Sequence, residues 1–290
     1  MGKYIYCITD GAEEESFGPL GMGGRGDELT TITHRDIAAV VSDSPVTRYP
    51  VSRESSLAHE QAIEAVFKRH TVLPVRFCTI AEDEAAVRAI LEREYDELGA
   101  LLKEMRNKVE VGVKAIFHET LVYQEILERY GEIRRRKEAV ASLPSPKVPW
   151  QLMEIGRMVE AALDAEKARV REEIMDALKG ACRDFRLTNR LLGERMILNA
   201  AFLVDRDREA AFDRQMDRLA ERYGEMVRFK YVGGFPPFNF VNLVIAFEGG
   251  RAPDAEGVGR GPLRASRHCG SSVAGSAVPS GRPPAARGPS

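Results

Sequence analysis

Met196-Ile-Leu-Asn-Ala-Ala-Phe-Leu-Val204 is the longest apolar run in the chain. Nine residues is strand length, and the run is far short of the ~20 needed to cross a bilayer. What surrounds it decides the fold. Asp207 to Tyr223 repeats apolar residues at helical spacing, and Val227 to Val232 reads as a strand. Gly233-Gly-Phe-Pro-Pro-Phe238 reads as a turn, and Phe240 to Phe247 as a last strand. Upstream, Arg183 to Thr188 reads as a further strand. A β-β-α-β series in about a hundred residues suits an antiparallel sheet with helices on one face, a ferredoxin-like layout.

Further upstream, Trp150 to about Cys182 is one long amphipathic helix with the stripe Leu152, Ile155, Val159, Leu163, Val170, Ile174 and Leu178. Before it, Leu143-Pro-Ser-Pro-Lys-Val-Pro149 stops any helix and stiffens the connection. The expected organisation is therefore α+β in two domains. Residues 1–142 form an N-terminal α+β domain, and 143–248 a C-terminal modified ferredoxin-like domain led by the long connecting helix. After Gly249 the composition turns to Gly, Pro and Arg with few large apolar residues. Residues 249–290 are expected to be disordered, because they cannot bury enough surface to offset their ordering entropy.

In the N-terminal part, Tyr4 to Ile8 reads as a strand buried on both faces, and 11–28 as a loop. Leu29 to Thr33 and Ile37 to Val41 form a hairpin. Ser52 caps a helix to about Arg69 with Ile63, Val66 and Phe67 facing inward. Thr71 to Phe77 contains Pro74, which marks an edge strand or an irregular segment. Residues 83–105 read as one amphipathic helix, Val109 to Phe117 as a half-buried strand, and Thr120 to Ala141 as one charged helix.

Composition narrows the function. A formal net charge of -2 gives no bulk argument for nucleic acid or an acidic membrane. One Trp and 7% aromatics argue against a base-stacking platform. The four cysteines are scattered, with no Cys-x-x-Cys, and Cys7 and Cys78 read as reduced core thiols. No signal-peptide pattern opens the chain, so a cytoplasmic protein is expected.

The candidate chemistry is thin. Gly21-Met-Gly-Gly-Arg-Gly26 fits G-x-G-x-x-G but precedes a strand, so no helix N-terminus follows to hold a phosphate. His59-Glu60 opens like H-E-x-x-H, but Ile63 stands where the second ligand belongs. His59, Glu60 and Glu64 on a helix face suit solvation better than a metal. Arg134-Arg-Arg-Lys137 is flanked by Glu128, Glu132 and Glu138. No Gly-x-Ser-x-Gly elbow occurs. The expectation is a non-catalytic protein without cofactor or metal. A ligand-binding regulatory module on the ferredoxin-like sheet is the alternative, with a small-molecule pocket between the domains. The turn Phe235-Pro236-Pro237-Phe238 is the candidate protein-contact site. It reads either as packing or as a rigid apolar knob whose prolines lower the ordering cost of binding.

Several segments together carry a family resemblance. They are Tyr4-x-Tyr6, Arg53-Glu54 through Ala58-His59-Glu60, and Leu73-Pro-Val-Arg-Phe77. They continue with Val109-Glu-Val-Gly-Val-Lys114 and end in the Pro-Pro turn with Asn239-Phe-Val241. The chain resembles the gas vesicle F/L proteins over nearly all of residues 1–248. Cys78 stands where that family usually has Gly, and His118 and Phe235 where Trp is common. The resemblance implies a minor structural or accessory protein in gas vesicle assembly. Its implied partners are the small shell protein and other accessory proteins, not nucleic acid or lipid membrane, and its implied place is the cytoplasm, associated with the vesicle. It carries over no catalytic residue, and it implies a modified ferredoxin-like C-terminal part.

Overall fold

The structure, a computed structural model, describes residues 1–45, 48–141, 148–188 and 193–245, with the backbone of Arg264–Ala265. It is α+β. The first sheet contains β1 (Gly2–Asp10), β2 (Thr30–His34), β3 (Ile37–Ser44) and β4 (Val72–Ala81). α1 (Arg53–Phe67), α2 (Glu84–Arg93) and α3 (Tyr95–Met105) accompany it. β5 (Lys108–Phe117), α4 (Glu119–Arg129), α5 (Gly131–Ala141) and the 32-residue α6 (Val148–Lys179) follow. β6 (Asp184–Leu187), β7 (Met196–Asp205), α7 (Glu209–Tyr223) and β8 (Val227–Phe235) continue the chain. Two short strands end it, β9 (Leu243–Val244) and β10 (Arg264–Ala265).

The first sheet has the order β10-β9-β4-β1-β3-β2, and the second the order β6-β7-β5-β8. Every pairing is antiparallel except β4 with β9. β1 is buried on both faces, as its unbroken apolar run requires. One face carries Ile5 and Ile8 against Val87, Leu91, Leu98 and Leu102 of α2 and α3. The other carries Tyr4 and Tyr6 against Ile63 and Val66 of α1. That second cluster runs on without a break into Val109, Val111, Phe202 and Phe212 of the second sheet and α7.

The strand pairings do not follow the expected 142/143 boundary. β5 lies at the middle of the second sheet, between β7 and β8. Residues 143–147 of the Pro-rich connection and most of the expected tail lie outside the described residues, while Val148 and Pro149 already belong to α6. The last strand is also different. It is two residues long, and it leaves the second sheet to pair in parallel with β4 through Val75↔Leu243. A strand of this length has no period to read, and its partner is far away in sequence.

Two long helices expected from periodicity are each broken. The first breaks at Glu94 (φ -103, ψ 14), which occupies a buried place where the stripe jumps from Leu91 to Leu98. The second breaks at Tyr130 (φ -102, ψ 76), beside Gly131. α1 keeps its expected start: the Ser55 N–H donates to the Ser52 side chain. Pro74 sits in an irregular stretch. The β1–β4 register passes from Ile5↔Thr79 to Cys7↔Pro74, so Val75 to Cys78 bulge opposite Tyr6.

Candidate protein-contact site

The Pro-Pro turn starts three residues later than the sequence suggests, because Gly233, Gly234 and Phe235 still belong to β8. Gly233 is there for close approach: a Cβ would lie 2.8 Å from Val111 Cγ1. Gly234 has φ +81, a left-handed backbone that an L side chain resists. Val232, on the same edge strand, is exposed.

Beyond β8 the backbone closes on itself. The Phe238 N–H donates to Pro236 O at 2.7 Å, and the Val241 N–H to Pro237 O at 2.9 Å. Pro236 and Pro237 are buried, while Phe235 and Phe238 are half-buried. Glu110 on β5 anchors the turn. Its carboxylate accepts the Asn239 N–H at 2.7 Å and also the Asn239 side-chain amide. Burial pushes the Glu110 pKa up, and the two Asn239 bonds only partly oppose that rise. Phe238 packs on the large core, whereas Phe240, Val241 and Leu243 join the smaller one. The guanidinium of Arg186 lies 5.2 Å from the Phe240 ring centroid. The segment is thus a strap from the edge of the second sheet to the edge of the first, with an aromatic rim left partly open.

The other sequence candidates take structural places. His59 is buried beneath Tyr4 and Tyr6. Its Nε2–H donates to Val75 O at 3.1 Å, so Nδ1 is free to accept from the Tyr4 hydroxyl at 3.1 Å. That hydroxyl in turn accepts the Cys78 N–H at 2.9 Å. Both His59 ring nitrogens and the Tyr4 hydroxyl thus have partners, and burial depresses the His59 pKa to about 4. Glu60, next to it, is raised by burial and by Glu64. Among the described residues no group of three or more His, Cys, Asp or Glu could hold a metal ion. The Gly21 to Gly26 stretch is a loop whose Met22 N–H donates to the Tyr6 hydroxyl at 2.7 Å. Cys7, Cys78 and Cys182 are free thiols. The Arg134–Lys137 run pairs locally, with Arg135 and Arg136 on Glu132, and Arg136 on Glu154 of α6.

Two features escaped the sequence reading. Glu110 looks like a solvent-facing residue of an alternating strand, yet the strap buries it. Leu152 looks like part of the inner stripe of α6, yet it is exposed together with Trp150 and Met153. Only the later part of that stripe, Leu163, Val170, Ile174 and Leu178, is buried.

The gas vesicle synthesis protein GvpL/GvpF model matches residues 2–242. The chain belongs to the GvpL/GvpF family. It is 30% identical over 244 residues to gas vesicle protein F of Streptomyces sp. (strain CB03234), covering 83% of this chain and all of that one. It is 25% identical over 272 residues to gas vesicle protein L of the same strain, covering 83% of this chain and 93% of that one. The fold is similar to the crystal structure of the gas vesicle protein GvpF from Anabaena sp. PCC7120, with a TM-score of 0.69 and 22% identity over 82% of this chain and 96% of that one. Membership in the GvpL/GvpF family implies a role in gas vesicle formation. Among the described residues no helix is long and apolar enough to cross a membrane.

Proposed function

We propose that the chain is a non-catalytic accessory or minor structural protein of the gas vesicle. It binds the small shell protein and other gas vesicle accessory proteins during assembly, in the cytoplasm and in association with the vesicle. The observation that carries this reading is the family match across residues 2–242. The places taken by the candidate catalytic groups support it, since His59 is fully engaged in the core. The contact site in this reading is the rim of Phe235 and Phe238, with exposed Val232 beside it.

The same reading divides the chain into two units, one on each sheet. The second runs β5, helices, β6, β7, α7, β8 with strand order β6-β7-β5-β8, which supports a ferredoxin-like layout. It transfers β5 to the C-terminal unit.

The test is a pull-down of the small shell protein with the full chain, alongside Phe235→Ala. Capture by the wild type, reduced in the variant at an unchanged melting temperature, is the expected result. No capture would sink the proposal. Capture unaffected by Phe235→Ala, with ~3 kcal/mol or more lost in stability, would make the turn a packing element instead.

A further inference from the structure

Where the two sheets adjoin, three segments remote in sequence meet around a cleft of about 340 Å³. The end of α1 brings Lys68 and Arg69, the α3–β5 turn brings Arg106 and Lys108, and Arg206 follows β7. The backbone holds them there. The Arg206 N–H donates to Asn107 O at 2.9 Å, and Asn107 takes a left-handed conformation (φ 58) that makes the turn tight. The end of β1 also lines the cleft, where Asp10 accepts the Thr71 N–H at 2.9 Å.

The local charges do not balance. Arg69 faces Glu15 at 3.5 Å, Lys108 faces Asp205 at 3.7 Å, and Arg106 reaches Asp10 only at 3.9 Å. Glu15 is shared with His70 at 3.0 Å. Lys68 and Arg206 have no ion pair and no side-chain hydrogen bond among the described residues. Arg206 lies with its guanidinium carbon 4.6 Å over the Phe67 ring. Stacking occupies the flat face of a guanidinium and leaves its N–H edge to bind an acceptor. Two cations in surplus, one oriented by an aromatic ring, line a concave space at the small end of ligand-pocket volumes.

We propose that this cleft binds a compact phosphate-bearing anion, with Arg206 and Lys68 as its principal contacts. A doubly charged phosphoryl group matches both the charge surplus and the planar N–H edge. The source of that group is either a free pyrophosphate or the phosphate tail of a nucleotide.

The experiment is calorimetric titration of the full chain with pyrophosphate and, separately, with ATP, at low and at moderate salt. Saturable single-site binding of pyrophosphate is expected, weakening as salt rises. Arg206→Gln and Lys68→Gln each lower the affinity at least about fivefold. Arg228→Gln, an exposed cation on β8 outside the cleft, leaves it unchanged. Both cleft side chains are exposed, so the variants keep their fold, which circular dichroism checks. Equal affinity for ATP and pyrophosphate identifies the phosphates as the recognised group, and tighter ATP binding adds a nucleoside contact. No saturable binding of pyrophosphate up to ~10 mM overturns the proposal. So does binding that neither cleft substitution weakens.

Discussion

At position 78 the backbone has φ 66, in the left-handed region that favours glycine. The family resemblance expects Gly there, and this chain has Cys. Its thiol is not idle, since it accepts the Tyr49 N–H at 3.1 Å. The Cys78 N–H feeds the chain through Tyr4 to His59, so the strained position and the buried histidine belong to one network. His59 gives that network a pH dependence. Its folded pKa of about 4 lies below the ordinary 6.5, so the unfolded state binds the proton first. The resulting stability is fully present above pH ~6.5 and is lost as pH falls toward 4, to a total of ~3 kcal/mol. Denaturant melts of wild type and His59→Gln at several pH values check this. The wild type should lose stability across that window more steeply than the variant. Parallel curves would remove His59 as the titrating group.

Among elements, the β5–β8 pair makes a sharp distinction between two glycines. A Cβ on Gly233 meets the stiff, buried Val111 at 2.8 Å, whereas one on Gly112 meets Val232 at an ordinary 3.5 Å. Gly233→Ala should therefore cost ~1–3 kcal/mol by overpacking. Gly112→Ala should stay within ~0.5 kcal/mol of wild type. Urea midpoints of the two variants measure the contrast, and equal effects would mean that the strands are not so closely apposed. α6 shows a similar contrast along one element. Its later turns are buried against the second sheet, while Trp150, Leu152 and Met153 stand exposed near its start. At 32 residues, about 48 Å, the helix is longer than the sheet it covers, so apolar spacing alone overstates how much of it is buried.

For the molecule as a whole, the decisive fact is that one apolar cluster spans both sheets. Tyr4 and Tyr6 from the first and Val111 and Phe202 from the second belong to it. The strap from Phe235 to Leu243 adds a covalent tie with a buried anchor at Glu110. Two sheets sharing a core unfold together. A single transition is expected, superimposing when followed by far-ultraviolet circular dichroism and by tyrosine absorbance. Trp150 is 66% exposed and makes a poor reporter. Two separated transitions would show that the sheets melt independently.

The sequence by itself determined the elements with a clear period and length: β1, α1 with its Ser52 cap, the long α6, β7 and α7. It also placed the order of segments that carries the family resemblance. Tertiary structure alone decided which neighbours those elements found. β5 reads as a half-buried strand wherever it lies, and only its pairing with β7 and β8, some ninety to a hundred and twenty residues on, puts it in the second sheet. The strap's return to β4, the burial of Glu110 and the enclosure of His59 have the same origin. A periodic pattern reports which face of an element is apolar. What covers that face depends on contacts between distant residues, and these leave no local mark in the chain.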